Sequence, residues 1–572
     1  MIKNFALNET NVIMNFSVDY CTTKAEILAS PSFKKVLAAF LKNLQKQGDA
    51  LYNSIDELVK GNLENEILDL FKLLLVFSKE EVIKNNPQYK NVLTAPIFLE
   101  FIEDLYTFWR HFERYAVVQS REKYKGIQNV NFIEATNNFN DLVLDLYRTI
   151  LVNVRGEGQN IFRQLAAGIN CGISLSNVNW ELPAGYECLK NVAFIDSIVL
   201  RPPFIVYSKK NKREGVYKEA NHNPLEGIKI KSDHWFCYPA YVGESLAYVY
   251  FHRDYMSHGI ALCNLFSLAK ASDCEGKKPD LVYVFGAKEE IKEEHSYFYH
   301  DKKNDIYVGI AYHTDDIDYF GYMKKMMLTL HNTRMIDKGY LPIHGAMVKA
   351  TFKDGRKVNL AFMGDSGAGK SETLEALKAV SGEYLKSTET IFDDMGTFVL
   401  KDGKIKGYGT EIGAFVRLDD LDPSYAYTEM DRAVFMNPNK SNSRVIMPVN
   451  SYENIMKGEN VDIFLYANNY TNANKIKLFE NTEEAIPVFR RGARMAKGTT
   501  GEKGLVDSYF ANPFGPVQRQ EQTEPLLDAY FKALFDNNIP VGEMYTKLGI
   551  PGEEKRGPQD AAIAILEWIK NR

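Results

Sequence analysis

The sequence lacks the features that mark several large classes of protein. Its formal net charge is only −5, so no strong overall field attracts it to nucleic acid or to anionic lipid. Only six of its 572 residues are cysteines and none forms a C-x-x-C pair, which argues against a cysteine zinc site. Apolar runs such as residues 73–77 are far too short to span a bilayer. Residues 1–10 show no basic segment followed by an apolar one, so we expect a cytoplasmic protein with reduced cysteines.

What is present is the composition of an ordinary globular protein, with 45% hydrophobic and 25% charged residues. The length allows two to four domains. In the first 185 residues, apolar side chains recur at helical spacing, which predicts an N-terminal all-α domain with a regulatory or oligomerisation role. One such stripe consists of Phe33, Val36, Leu37, Phe40, Leu41 and Leu44, and another of Leu63, Ile67, Leu70, Phe71 and Leu74. The spacing of Ser78 and Glu81 predicts a capping box ahead of a further helix.

From about residue 190 the pattern changes to short apolar, β-branched and aromatic runs separated by glycine and proline. Residues 198–200, 204–207 and 281–285 are examples, and each predicts a strand. We therefore predict an α/β protein with mixed sheets beyond the helical domain. Its expected parts are a substrate-side domain over residues 186–310 and a nucleotide-binding, catalytic domain over residues 311–572.

The most specific motif is a glycine-rich phosphate-binding loop between a predicted strand, residues 358–363, and a predicted helix, residues 372–380. Backbone N–H groups of such a loop, together with the helix N-terminus, can surround phosphate oxygens. Lys370 would contact the β- and γ-phosphates of ATP, and Ser371 would bind Mg²⁺. The loop consists of Gly364, Asp365, Ser366, Gly367, Ala368, Gly369, Lys370 and Ser371.

Three further features predict a metal site beside this loop. Asp393 and Asp394 follow residues 390–392, an apolar run that predicts a strand ending at the acidic pair, where such enzymes hold a metal. His344 lies in another apolar run, where a histidine is more often a hydrogen-bonded core residue. Lys324 and Lys325 lie inside an apolar segment and, if buried, need a partner. Two explanations of the lysine pair remain open: both side chains face the surface, or they face an anion or a metal inside a cleft.

Together these segments resemble ATP-dependent phosphoenolpyruvate carboxykinase. That family has a Tyr–Gly–Gly–Glu–Met–Lys–Lys segment, a His-containing strand, a phosphate loop and an Asp-Asp pair in this order. Here the order is kept by Tyr319 with Lys324 and Lys325, then His344, the loop and the acidic pair. Residues 409–414, which contain Glu411, and residues 442–448, which contain Arg444, resemble two later segments of the family.

The resemblance implies decarboxylation of oxaloacetate and phosphorylation of the resulting enolate by ATP. It implies Lys325, His344 and Asp394 as Mn²⁺ ligands. Asp393 and Ser371 would complete the metal ligands, with Mg²⁺ on the nucleotide, and Glu411 would belong to the cofactor-binding residues. Arg201, Tyr319 and Arg444 would bind the organic acid. The catalytic residues would be Lys325, Lys370, Asp394 and Arg444. Small molecules are the expected partners, with neither nucleic acid nor membrane.

Two alternatives stay open. The core also resembles HPr kinase/phosphorylase, whose loop often reads Gly–Asp–Ser–Gly–x–Gly–Lys–Ser–Glu, and residues 364–372 fit that version better. That family lacks the Lys-Lys segment and the C-terminal region around Arg444, so the carboxykinase resemblance is favoured. The second alternative is a nucleotide-gated binding or scaffold protein in which the helical domain carries the function.

Overall fold

The computed structural model describes residues 4–48, 50–119, 127–156, 167–213, 215–288, 294–380, 382, 384–418, 430–496 and 503–571. The chain divides into two compact units, and the predicted boundaries near residues 185 and 310 stay predictions. The first unit comprises Met1–Asn177, Ala193–Pro202 and Ser232–His234. The second comprises Val178–Val192, Pro203–Lys231 and Trp235–Arg572.

The first unit is predominantly helical. Its helices are α1 (Lys24–Ala29), α2 (Pro31–Gln47), α3 (Ala50–Leu58), α4 (Leu63–Leu74), α5 (Lys79–Asn85), α6 (Lys90–Thr94), α7 (Ile97–His111) and α8 (Ile127–Arg155). Its strands are β1 (Phe5–Leu7), β2 (Asn11–Asn15), β3 (Glu113–Gln119), β4 (Cys171–Ser176) and β5 (Ala193–Leu200). They follow one another in the order β1-β2-β3-β4-β5, with parallel pairing of β3 to both β2 and β4.

Local sequence signals explain the helices of this unit. The predicted stripe of α4 is buried throughout, and that of α2 is buried except for the partly buried Phe33. The predicted capping box is confirmed, because the Ser78 side chain accepts from the Glu81 backbone N–H while the Glu81 side chain accepts from that of Ser78. The apolar faces of these helices join in one hydrophobic core.

The expectation of an all-α N-terminal domain is wrong, because strands β1 to β4 lie within it. β1 and β2 form a short antiparallel hairpin, whereas β2 pairs with β3 about a hundred residues further along, with Asn11 opposite Glu113, so no local signal marks that second pairing. The aromatic-rich segment 101–115 begins in α7 and continues directly into β3. Phe112 leaves the helix with ψ 144°, and Tyr115 is already a buried strand residue.

The second unit is mixed α/β, as predicted. Its helices are α9 (Met256–Ala261), α10 (Ala271–Cys274), α11 (Phe320–Asp337), α12 (Lys370–Val380), α13 (Tyr452–Ile455), α14 (Thr482–Arg491), α15 (Gln520–Asp536) and α16 (Arg556–Lys570). Its strands are β6 (Phe204–Val206), β7 (Lys218–Glu219), β8 (Trp235–Val242), β9 (Ser245–His252), β10 (Ser267–Leu268), β11 (Leu281–Ala287), β12 (Ser296–Asp301), β13 (Ile306–Tyr312), β14 (Leu341–Phe352), β15 (Lys357–Met363), β16 (Leu385–Lys401), β17 (Lys404–Gly409), β18 (Gly413–Arg417), β19 (Val434–Met436), β20 (Arg444–Pro448), β21 (Glu459–Asn460), β22 (Ile463–Asn468), β23 (Lys477–Leu478), β24 (Arg494–Met495), β25 (Leu505–Val506) and β26 (Val541–Tyr545).

These strands form several sheets. One runs β8-β9-β11-β13-β12-β7 with β10 beside β8, another runs β21-β17-β16-β14-β15-β22-β26-β23, and a third runs β18-β20-β19-β6. A short pair, β24 and β25, is separate. Among the described helices, none is both long and apolar enough to cross a lipid bilayer.

The sheet around β14 and β15 is covered on both faces, which explains why its central strands read as continuous apolar runs. Alternate residues face different cores. Ile343 and Met363 belong to a core with residues of α14 and α15, whereas Val348 and Phe362 belong to a core with residues of α12 and α16. The two cores hold β14, β15 and β16 rigidly, and these strands carry the candidate site.

Candidate functional site

The glycine-rich loop lies between β15 and α12, so the predicted order of strand, loop and helix is confirmed. Gly367 and Gly369 have φ values of +78° and +94°, which glycine adopts without strain. The buried Lys370 ammonium donates to the backbone oxygens of Gly364, at 2.7 Å, and Asp365, at 3.2 Å. The lysine therefore lies inside the curve of the loop, where an anion bound by the loop would meet it.

Asp365 fixes the start of the loop through its charge. Arg494 Nε donates to Asp365 Oδ2 at 2.9 Å, and the backbone N–H of Ser366 donates to Oδ1 at 2.7 Å. Burial alone would raise the pKa of Asp365, but His344 and Arg494 outweigh it and lower that pKa. The carboxylate is thus held ionised as a structural anchor.

Two more side chains hold the loop by its carbonyl groups. Asn469 Nδ2 donates to the Gly367 oxygen at 3.0 Å, and Thr546 Oγ1 donates to the Ala368 oxygen at 2.6 Å. A Cβ atom on Gly369 would lie only 2.6 Å from Thr546, so the close approach requires glycine. These two side-chain hydrogen bonds to its carbonyl groups stabilise one conformation of the loop.

The centre of the acidic site is Asp394. Lys324 Nζ lies 2.6 Å and Lys325 Nζ 3.3 Å from its Oδ2, and His344 Nε2 lies 3.1 Å from its Oδ1. The three partners come from two consecutive elements, α11 and β14, and lie 50 to 70 residues before Asp394 in the sequence. β16 does not end at the acidic pair as expected but continues to Lys401, and it places Asp394 opposite Gly345 with a φ of +84°. Such strain in a non-glycine residue is typical of functional positions.

The second histidine nitrogen shows how His344 is oriented. His344 Nδ1 lies 2.7 Å from the backbone oxygen of Ala511, and the ring is buried. A carbonyl can only accept, so Nδ1 carries a proton. Nε2 then faces Asp394 Oδ1, to which it donates a hydrogen bond when it carries a proton. A metal ion bound at Asp394 would take the place of that proton.

Asp393 connects the acidic site to the loop. Ser371 Oγ donates to Asp393 Oδ1 at 3.1 Å, across the gap between α12 and β16. Burial and the neighbouring charge of Asp394 raise the pKa of Asp393. The predicted Mg²⁺ ligands therefore meet, and the loop and the acidic site form one continuous site.

The two lysines of α11 differ in environment. Lys324 is fully buried and also lies 3.0 Å from Glu411 Oε1. Burial would lower the pKa of Lys324, but Asp394 and Glu411 outweigh it and raise that pKa. Burial, reinforced by the charge of Lys324, lowers the pKa of Lys325 to about 8, and burial raises that of Glu411 to about 7. Lys325 is therefore the lysine that more readily becomes a neutral amine.

The predicted organic-acid residues of this unit gather around one ring. Arg444 lies 5.2 Å, Lys324 Nζ 5.5 Å and the Tyr319 ring 6.1 Å from the centre of the Phe415 ring. Arg444 on β20 is paired directly with Arg417 on β18. Directly opposed residues of antiparallel strands point to the same face, so two guanidinium groups share this surface. A small organic acid that reached this surface would meet positive charge.

Arg201 belongs to the first compact unit, just after β5, whereas the other predicted site residues belong to the second. Burial lowers the pKa of Arg201. Its assignment as a substrate residue stays a prediction.

Several site residues were not found from the sequence. Arg494, Asn469 and Thr546 lie about a hundred residues or more beyond the loop that they hold, and no local pattern marks them. The family resemblance gives the ligand role to Lys325 alone, whereas Lys324 Nζ also lies 2.6 Å from Asp394. A buried charge needs a partner, and this requirement, which applies to both lysines, is the signal that points to Lys324 as well.

No protein-family model matches the chain, and no curated protein matches its sequence.

Proposed function

We propose that the chain is an ATP-dependent enzyme of the phosphoenolpyruvate carboxykinase type, which decarboxylates oxaloacetate and phosphorylates the enolate. The observation that carries the proposal is the convergence on one carboxylate. Lys325 and His344, from separate elements, lie within 3.3 Å of Asp394. The adjacent Asp393 is hydrogen-bonded to Ser371 of the phosphate-binding loop. Phosphoryl transfer to a small acceptor requires the acceptor's metal site, here around Asp394, to lie beside the phosphate-binding loop.

The residues present fit the metals that this activity needs. The amine of Lys325, the Nε2 lone pair of His344 and the carboxylate of Asp394 form a mixed nitrogen and oxygen donor set that suits Mn²⁺. Asp393 and Ser371 would hold Mg²⁺ on the nucleotide. When bound, the metals would supply electrostatic stabilisation of the enolate oxygen and of the transferring phosphoryl group.

The loop supports the ATP half of the proposal. Lys370 lies within its curve and now donates to two neutral carbonyl oxygens. Phosphate oxygens are stronger acceptors because they are charged. The N–H groups at the start of α12 add a partial positive charge on the same side. These groups would neutralise charge that builds up on the γ-phosphoryl group during transfer.

The surface around Phe415 supports the organic-acid half. Oxaloacetate carries two carboxylates, and Arg444 with Arg417 offers two guanidinium groups on one face. Lys324 stands beside the same ring and is bound to Asp394. An acid held by Arg444 would thus lie next to the acidic site. Tyr319, at the start of α11, would close one side of this space.

Turnover of oxaloacetate plus ATP in the presence of Mn²⁺ and Mg²⁺, measured as phosphoenolpyruvate formed, tests the proposal. We expect formation that requires all the components. ATP-dependent phosphorylation of a serine side chain in a protein, without oxaloacetate turnover, would favour the HPr-kinase-like alternative. Residues 364–372 of the loop resemble the loop of that family. Tight ATP binding with no transfer to either acceptor would favour a nucleotide-gated binding protein.

A further inference from the structure

A cluster of two histidines and an aspartate lies in the sheet that contains β8 to β13, away from the strands that carry Asp394. Strands β9, β11 and β13 of this sheet run parallel. β9 ends at His252, Asp254 follows in the next turn, and His313 comes directly after β13. The carboxyl ends of parallel strands meet at one edge, which is where α/β sheets place their ligand sites.

The three side chains converge on one carboxylate oxygen. His313 Nε2 lies 2.8 Å and His252 Nδ1 lies 3.1 Å from Asp254 Oδ2. One ligand atom from each residue can be chosen so that all lie within 4.8 Å of one another. Ligands of a tetrahedral zinc ion lie about 3.4 Å apart, given metal–ligand bonds of about 2.1 Å. Small side-chain rotations would bring the three atoms to that spacing.

The backbone positions His252 beside the carboxylate. The backbone N–H of Asp254 donates to His252 Nδ1 at 3.2 Å. The same nitrogen lies 3.1 Å from the Asp254 carboxylate. An imidazole nitrogen and a carboxylate oxygen are therefore held side by side, where a metal ion would take both as ligands.

The surroundings hold the rings in place and leave one side open. The Trp235 ring lies edge-on to His252 at 5.5 Å, and the Tyr255 ring lies 5.2 Å from His313. The His252 side chain is 3% exposed, whereas that of His313 is 29% exposed, so an ion can enter from solvent. Lys288 Nζ lies 3.8 Å from Asp254, but its side chain is 58% exposed and can turn outward.

We propose that His252, Asp254 and His313 bind a divalent transition-metal ion, for which Zn²⁺ is the matching class. Two imidazoles and one carboxylate are zinc ligands, and three protein ligands leave a position for water. Such an ion would join the end of β9 to the segment that leads into α11, the helix that carries Lys324 and Lys325. The site is independent of the proposed phosphoryl transfer.

Metal titration of the chelator-treated full chain tests the proposal, with Zn²⁺ followed by calorimetry and Co²⁺ by its visible absorption. We expect imidazole-coordinated binding that persists in His344→Ala, which removes a ligand from the other site, and the further variants are therefore made in the His344→Ala background. His313→Ala and the isosteric Asp254→Asn should weaken this binding at least about a hundredfold. His222→Ala, at an exposed position, is the matched control and should bind like its His344→Ala parent.

Thermal unfolding provides a second measurement on the same proteins. In the His344→Ala background, Zn²⁺ should raise the Tm of the parent and of the His222→Ala variant, and leave that of the His313→Ala and Asp254→Asn variants unchanged. The parent's affinity in a folded His313→Ala or Asp254→Asn variant would overturn the assignment. So would a His344→Ala protein that shows no Co²⁺ absorption of imidazole coordination.

Discussion

Replacing Lys325 with methionine separates a ligand role from a structural one. The side chain is 15% exposed and its Nζ lies 3.3 Å from Asp394 and 4.4 Å above the Phe514 ring. Methionine keeps the length and the apolar packing but removes the amine. Asp394 would still have Lys324 at 2.6 Å and His344 at 3.1 Å, so no buried charge is left without a partner. The free energy of unfolding should therefore change by about 1 kcal/mol or less.

The expected effect on function is much larger. Loss of a metal ligand should weaken Mn²⁺ binding and lower oxaloacetate turnover at least about a hundredfold, which corresponds to about 2.7 kcal/mol of transition-state stabilisation. ATP affinity should stay within a factor of two or so, because Lys370 and the loop remain. Lys325→Arg keeps the charge but cannot supply a neutral nitrogen, so it should lose turnover as well.

The assays are phosphoenolpyruvate formation, Mn²⁺ affinity by electron paramagnetic resonance and ATP affinity by calorimetry. Lys532→Met, at a side chain that is 71% exposed, is the matched control for the substitution itself. Wild-type Mn²⁺ affinity and turnover in Lys325→Met would refute the ligand assignment. Full activity in Lys325→Arg with loss only in Lys325→Met would show that the charge, rather than the nitrogen lone pair, is required.

Three other perturbations have defined outcomes. Lys370→Ala should abolish ATP turnover while the circular dichroism spectrum stays native, and turnover at the wild-type rate would contradict the loop assignment. Arg494→Met leaves the buried Asp365 without its guanidinium, so chemical denaturation should show a loss of about 3–5 kcal/mol. Burial lowers the pKa of His331 to about 4, below its unfolded value of about 6.5. The unfolded chain binds the extra proton between these values, so stability is complete above pH 6.5 and falls by about 3 kcal/mol toward pH 4. His331→Gln should lack this part of the pH dependence in denaturant titrations.

Features encoded within a few residues were predictable from the sequence. The stripe of α4, the capping box at Ser78 and the glycine-rich loop each depend on spacings shorter than about a dozen residues. The pairing of β2 with β3 was not, because partners such as Asn11 and Glu113 are brought together only by the fold. The contacts of Arg494 and Thr546 with the loop were missed for the same reason.

The course of β16 shows a different kind of limit. An apolar run followed by two aspartates is typical of a strand that ends at the acidic pair. The chain instead continues as a strand. Asp394 adopts a φ of +84° while the pairing with β14 continues through it, and pairing with β17 begins at Gly396. Single-residue strain of this kind depends on what the neighbouring strands enforce. The composition and periodicity of the sequence therefore do not predict the positive φ at Asp394.

The buried charges themselves argue that this part of the protein is maintained for function. Two lysines and two acidic residues, Lys324, Lys325, Asp394 and Glu411, meet inside the second unit. Taking charged groups out of water costs several kcal/mol for each, and apolar residues of the same volume often give an equally or more stable protein. α11 could have been built with leucine or methionine at both lysine positions. The cluster is therefore poorly explained by a contribution to stability. It is well explained as a set of groups positioned to bind an anion and a metal cation at the same site.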